Sequence, residues 1–247
     1  MRLRVTINLL LVLVTLNFPS NIFGQLSAND SIMLQASFKN ALSVYHHSLD
    51  KPSGLFNGSQ YIPYATTIRD DHPYFLSGTM TMGDIVYDSV LFEDVSMFYD
   101  LVKEQVVIDD PYKIYKISLI NEKVSAFSLL NHNFIRLEAD SINKGVIRTG
   151  FYEVLYKGNI TLYEKEIKKI QEVINNQELY RIIIPQNNFY LDIGGKFYQV
   201  NRKKSLLKIL GKRRKEIQQY LRKNKLNYQK DKENTLVKVV TYYDSLK

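Results

Sequence analysis

The 247-residue chain contains no cysteine and no tryptophan, and only four histidines. Without cysteine it can form no disulfide, thiolate metal site or thiol nucleophile, and no lipid-modified cysteine can follow a leader. A domain without such staples relies on its own apolar core. The chain is 45% hydrophobic, and about 220 residues suffice for one substantial domain or two small ones. The histidines are His46, His47, His72 and His132. The adjacent pair diverges on a helix, and none belongs to a His-Glu motif with metal-ligand spacing, so surface or hydrogen-bonded roles are expected. Nucleophile-elbow, phosphate-loop and dinucleotide motifs are missing too, and no cofactor or metal is predicted.

Long hydrophobic runs are confined to the start. Arg2 and Arg4 precede an apolar stretch from Val5 to Phe18, and Gly24 stands at a cleavage position. The stretch is shorter than the roughly 20 residues of a spanning helix and is interrupted by Thr6, Asn8 and Thr15. The pattern predicts a signal peptide over 1–24, cut before Gln25, with export to a periplasm or the cell surface.

Acidic residues are scarce only at the far end. Residues 202–247 hold 15 basic and 4 acidic residues, a net charge of +11, whereas 26–201 carry 16 and 21, a net charge of −5. An acidic body with a basic tail allows internal attraction as well as an external polyanion.

Tyrosine, at 18, suits half-buried sheet surfaces. Residues 25–60 read as a helix, with Leu34, Phe38, Ala41, Leu42 and Tyr45 at helical spacing, followed by a loop over 51–60. From 61 to 201, short alternating segments separated by tight turns predict a mainly β fold with flanking helices (α+β). They form a curved antiparallel meander of about 11 to 13 strands. The expected turns are Gly83-Asp84, Asn121-Glu122, Gly158-Asn159, Gln186-Asn187-Asn188 and Gly194-Gly195, and "DIGGKF" at 192–197 reads as a hairpin turn. The loop at 139–145 is the best candidate for an internal boundary, but 61–201 reads as one meander and not as two domains. Residues 202–247 read as a basic helical pair packed on the sheet. An interrupted stripe of Leu206, Leu207, Leu210, Ile217, Tyr220 and Leu221 bends at Gly211, and a last helix is capped by Asp231 or Asn234.

The stretches "GLFNGSQYIPY", "DDHPYF", "GDIVYDSVLFEDVSMFYDLVKEQVVI", "TGFYEVLYKGNITL" and the "KKSLLKIL" to "VTYYDSL" tail resemble a group of secreted proteins of Bacteroidota-type bacteria. The resemblance implies a bacterial periplasmic or cell-surface location; the group has no assigned activity, so no site residue is carried over from it.

Candidate chemistry is sparse. Asp70, Asp71 and His72 gather before a strand as the possible half of an acid–base site, the basis of a hydrolase reading. Asp84, Asp88, Glu93, Asp94 and Asp100 form an acidic stretch without EF-hand spacing, which reads as solvated strand faces and turns. Phe75, Phe98, Phe127 and Phe151 would line the cavity if the curved sheet carried a lipid or other apolar ligand. Ser31, Ser141 and Ser245 lie in Asp-Ser-aliphatic triplets similar to a glycosylation signal, and Ser89, in a fourth, is expected within a strand. In the tail, Lys212, Arg213, Arg214, Lys215 and Arg222 are the expected contacts for an anionic surface. Their Leu/Ile stripe favours docking on the sheet, and export disfavours nucleic acid. The reading that results is an exported binding or interaction module without catalytic activity. Its partner would be an envelope protein, a lipid or a glycan.

Overall fold

The computed structural model describes residues 54–246, apart from 65–67, 70, 144 and 176–177. The expected leader, Ser31, the His46-His47 pair, Asp70 and most of 25–60 lie outside the described residues.

Among the described residues eleven strands form one antiparallel sheet, as the short hairpin connections predict. They are β1 (Ser59–Gln60), β2 (Thr81–Tyr87), β3 (Val90–Asp100), β4 (Gln105–Asp109), β5 (Lys116–Ser118), β6 (Val124–Leu129), β7 (His132–Leu137), β8 (Gly150–Lys157), β9 (Thr161–Asn175), β10 (Glu178–Ile193) and β11 (Lys196–Gln199). Their order across the sheet is β1-β5-β4-β3-β2-β6-β7-β8-β9-β10-β11. The sheet is rolled. Four strands separate β3 from β9, yet the Lys168 amide donates to the Leu101 carbonyl at 3.0 Å. Residues 73–75 run beside the same end of β3, where the Phe75 amide donates to the Tyr99 carbonyl and the Leu101 amide to the Pro73 carbonyl. The edge strands β1 and β11 are only two and four residues long, and the Asn143 side chain covers part of β11, accepting from the Phe197 amide and donating to the Gly195 carbonyl, which limits strand addition.

Several turns fall elsewhere than their residues suggest. Gly83 and Asp84 form a bulge inside β2, not a turn. A Cβ on Gly83 would lie 2.2 Å from the Ser128 carbonyl oxygen, so close strand approach explains the glycine. The reversal occurs at Asp88-Ser89, with φ of 51° and 66°, the left-handed pair that a two-residue hairpin needs. Ser89 is therefore in a turn between β2 and the long β3, not within a strand. Gln186, Asn187 and Asn188 also belong to a strand, paired with Ile167, Glu166 and Lys165. Turn-forming side chains there yield to an uninterrupted ladder between two long partners. The 139–145 loop joins two directly paired strands, and the described residues group as one compact unit.

The basic tail forms three helices, not two. These are α1 (Lys203–Ile209), α2 (Arg214–Lys223) and α3 (Lys232–Ser245), with a 3₁₀ turn at Gly211–Arg213 between the first two. The Asp231 carboxylate accepts from the Asn234 amide and caps α3. Leu206, Leu207, Leu210, Ile217, Leu221, Leu236, Val239 and Val240 bury a core against Ile160, Leu162, Phe189 and Leu191 of the sheet. A stacked Tyr220–Tyr242 pair at 4.1 Å ties α2 to α3. A second core fills the roll around Ile85, Tyr99, Phe127, Phe134 and Phe151.

Candidate functional site

Residues directly opposite one another on paired strands share a face of the sheet. Following the register from β3 to β10 gives one row: Phe92, Ile85, Phe127, Phe134, Glu153, Glu164, Phe189. Two glutamates thus face each other in the middle of an apolar row, between the two cores. Like charges in that relation repel, and burial adds a desolvation cost. Glu164 is only 5% exposed.

The two carboxyls have different neighbours. Glu153 accepts from or shares a proton with His132 Nδ1 at 2.6 Å, and the ring of His132 stands edge-on to Phe75. Glu164 Oε1 accepts from Asn187 Nδ2 at 2.5 Å. Desolvation is the main cause that raises the Glu164 carboxyl to about 8; the Asn187 bond opposes it, and Glu233, Glu153 and Glu166 raise it further. Desolvation likewise raises Glu153 and Glu166. At neutral pH Glu164, raised to about 8, keeps its proton beside a carboxyl group that is bonded to histidine. That pairing suits acid–base chemistry, but Phe134 and Phe189 flank it and the acid is buried from solvent.

Asp71 and His72 approach this row from the loop. Lys168 Nζ donates to Asp71 Oδ1 at 3.2 Å, to the His72 carbonyl at 2.8 Å and to the Tyr74 carbonyl at 3.1 Å. Lys168 therefore fastens the loop onto β9. Replacing it with methionine removes one donor from three acceptors and is expected to cost about 2 kcal/mol in urea unfolding. A loss below about 0.5 kcal/mol would show that the clamp is only incidental. The His72 ring lies 5.9 Å from that of Tyr74, nearly parallel to it. His132, Glu153, Glu164 and Lys168 escape detection in the sequence because only the strand register aligns them.

No protein family, curated protein or solved structure matches this chain.

The four phenylalanines proposed as a cavity lining divide between two faces. Phe75, Phe127 and Phe151 belong to the core inside the roll, whereas Phe98 packs with Tyr61 and Val107 on the opposite face. Within the roll, Phe134 stacks on Phe127 at 4.6 Å, and Tyr99 meets Phe127, Phe134 and Phe151 at 5.3–5.8 Å. Aromatic rings thus occupy the space between the named residues.

The acidic stretch is dispersed. Asp84 accepts from Ser128 and from the Asp94 amide, Asp88 pairs with Lys123, and Asp100 is buried. No group of three or more metal-ligating side chains occurs among the described residues. Ser141 and Ser245 are exposed. Asp140, beside Ser141, accepts from the Ile142 and Asn143 amides, and Asp244, beside Ser245, accepts from Tyr156 and the Asn159 amide. These aspartates thus organise their own surroundings.

Lys212, Arg213, Arg214, Lys215 and Arg222 are all exposed. Arg213 is partly tied down, bonding Glu216 and the Leu246 carbonyl. A separate cleft of about 800 Å³ opens where β11 meets α1 and α2 turns toward α3. Its lining is Asn201, Arg202, Lys203, Leu226, Asn227, Tyr228, Gln229 and Lys232. Tyr228 is buried, with its hydroxyl donating to the Val200 carbonyl, and Lys232 Nζ lies over the Phe189 ring.

Proposed function

We propose that this chain is an exported, non-catalytic binding module whose helical layer docks on an anionic partner of the cell envelope. The observation that carries this reading is the division of the tail. Its leucines, isoleucines and valines are consumed by the core, while its cations remain on the outer surface. Packing alone requires the apolar stripe but does not require so large an excess of one charge. Such an excess costs self-repulsion that an anionic surface would offset. The tyrosine-rich sheet then serves as the rigid platform beneath the helices.

Co-sedimentation with phosphatidylglycerol-containing vesicles tests the proposal. Binding is expected at low salt and should weaken steeply as salt rises. Changing Lys212, Arg214, Lys215 and Arg222 together to glutamine, with Arg213 retained for its structural bonds, is expected to weaken it at least about a hundredfold, since each surface cation is worth about 1 kcal/mol. Failure of the unmodified protein to bind, or equal binding by the quadruple variant, would overturn the reading.

A further inference from the structure

We propose that the cleft between β11, α1 and the start of α3 is a discrete site for a phosphate monoester carried on a hydroxylated ring. This deepens the envelope-docking reading by naming the group recognised, and it rests on that reading only for the source of the ligand.

The lining has the chemistry such a ligand requires. Arg202, Lys203 and Lys232 bring three cations to one cleft, and no carboxylate among the described residues lies within ion-pair distance of them. Three cations along one cleft with no neighbouring carboxylate make its potential positive, which favours an anion there. The planar guanidinium fork of Arg202 matches two phosphate oxygens, and the two ammonium groups act as point charges for the rest. Arg202 and Lys203 are exposed, which leaves their heads free to close on a ligand. Lys232 is less mobile because its ammonium lies 5.6 Å from the centre of the Phe189 ring.

The remaining groups point to more than inorganic phosphate. Asn227 uses its side-chain oxygen to accept from the Gln229 and Lys230 amides, which leaves its NH₂ group to donate outward. Gln229 adds a second amide with both a donor and an acceptor, the complement of ring hydroxyls. Leu226 and buried Tyr228 supply an apolar floor. The volume of about 800 Å³ lies within the range of small-molecule sites. Asn201 holds the floor in place, accepting from the Phe189 amide and donating to Asn188.

Titration calorimetry of the purified protein with glucose 6-phosphate tests the site. Saturable binding is expected, with inorganic phosphate at least about tenfold weaker because it lacks the ring contacts. The double variant Arg202→Gln/Lys203→Gln is expected to weaken glucose 6-phosphate binding at least about tenfold, and Gln229→Ala by a smaller factor. The quadruple variant of α2 and its preceding turn should bind the sugar phosphate as the unmodified protein does, whatever happens to its vesicle binding. The failures of the two proposals are thus distinguishable. No saturable binding, or binding unchanged in Arg202→Gln/Lys203→Gln, would overturn the site. Vesicles containing diphosphoryl lipid A then separate the two sources of the ligand. Displacement of bound protein by glucose 6-phosphate identifies a lipid-borne sugar phosphate. Saturation of the cleft without displacement identifies a free one.

Discussion

Replacing Asp100 with alanine is expected to lower the unfolding free energy by about 3 kcal/mol or more. Asp100 closes β3 with no exposed surface. Its Oδ1 accepts from the Val102 and Lys103 amides, its Oδ2 from the Tyr61 hydroxyl at 2.8 Å, and both oxygens accept from Tyr64 at 2.9 Å. Lys103 completes the arrangement, its ammonium lying over the Tyr61 and Tyr64 rings. Alanine leaves the buried Tyr61 hydroxyl and three part-buried donors, the Tyr64 hydroxyl and the Val102 and Lys103 amides, without this acceptor, and a buried donor left unsatisfied costs about 1–3 kcal/mol. Burial, reinforced by the Asp100 charge, raises the Tyr61 and Tyr64 hydroxyls far above the usual tyrosine value, so both remain donors across the accessible pH range. Asp100→Asn keeps one oxygen and should fall between alanine and the unmodified chain. Urea unfolding followed by tyrosine fluorescence gives the comparison. A cost under about 1 kcal/mol for alanine would mean that water readily replaces the network.

Glu164→Gln is expected to remove much of the loss of stability on going from acid to alkaline pH, and to stabilise the protein by several kcal/mol above pH 8. In the folded chain the Glu164 carboxyl is raised from 4.5 to about 8, first by desolvation and then by Glu233, Glu153 and Glu166. Below 4.5 both folded and unfolded forms hold the proton, and the buried acid carries no penalty. Between 4.5 and 8 the unfolded chain releases its proton while the folded one retains it, so stability falls as pH rises. Above 8 the folded state bears a buried carboxylate and the loss is complete. Glutamine reproduces the neutral acid and can keep the Asn187 contact, so its curve should stay flat where that of glutamate falls. Other ionisable side chains surround the row: His132 from β7, Glu153 from β8, Glu166 and Lys168 from β9, Glu233 from α3 and Asp71 from the loop. The informative quantity is therefore the difference between the two proteins at each pH. Denaturant midpoints on either side of the 4.5–8 window measure it. Parallel curves would show that Glu164 is solvated in the folded chain.

The strand register explains why this row is not legible in the sequence. Glu153 lies in "TGFYEVLY" and Glu164 in "ITLYEKEIKKI", where each reads as an ordinary polar residue of an alternating strand. Their repulsion arises because β8 and β9 pair with those residues opposite one another. His132 likewise becomes the partner of Glu153 only because β7 pairs with β8. The helical tail was more transparent because its signal is local. Apolar residues three and four apart must lie on one face of a helix, and Gly211 marks where that helix breaks.

By itself the sequence determined the antiparallel, mainly β class, the approximate number of strands, the helical basic tail with its buried stripe, and the absence of thiol chemistry. All of these follow from composition or from periods of two to four residues. Only the tertiary structure decided that the sheet rolls until β9 meets β3, that Gln186 to Asn188 continue a strand, and that Phe98 lies apart from Phe127 and Phe151. It alone also brought two glutamates face to face and gathered Arg202, Lys203 and Lys232 around one cleft. Those outcomes depend on pairing between residues far apart in the chain. There the free energy of burying whole faces outweighs the turn preference or charge of a single side chain.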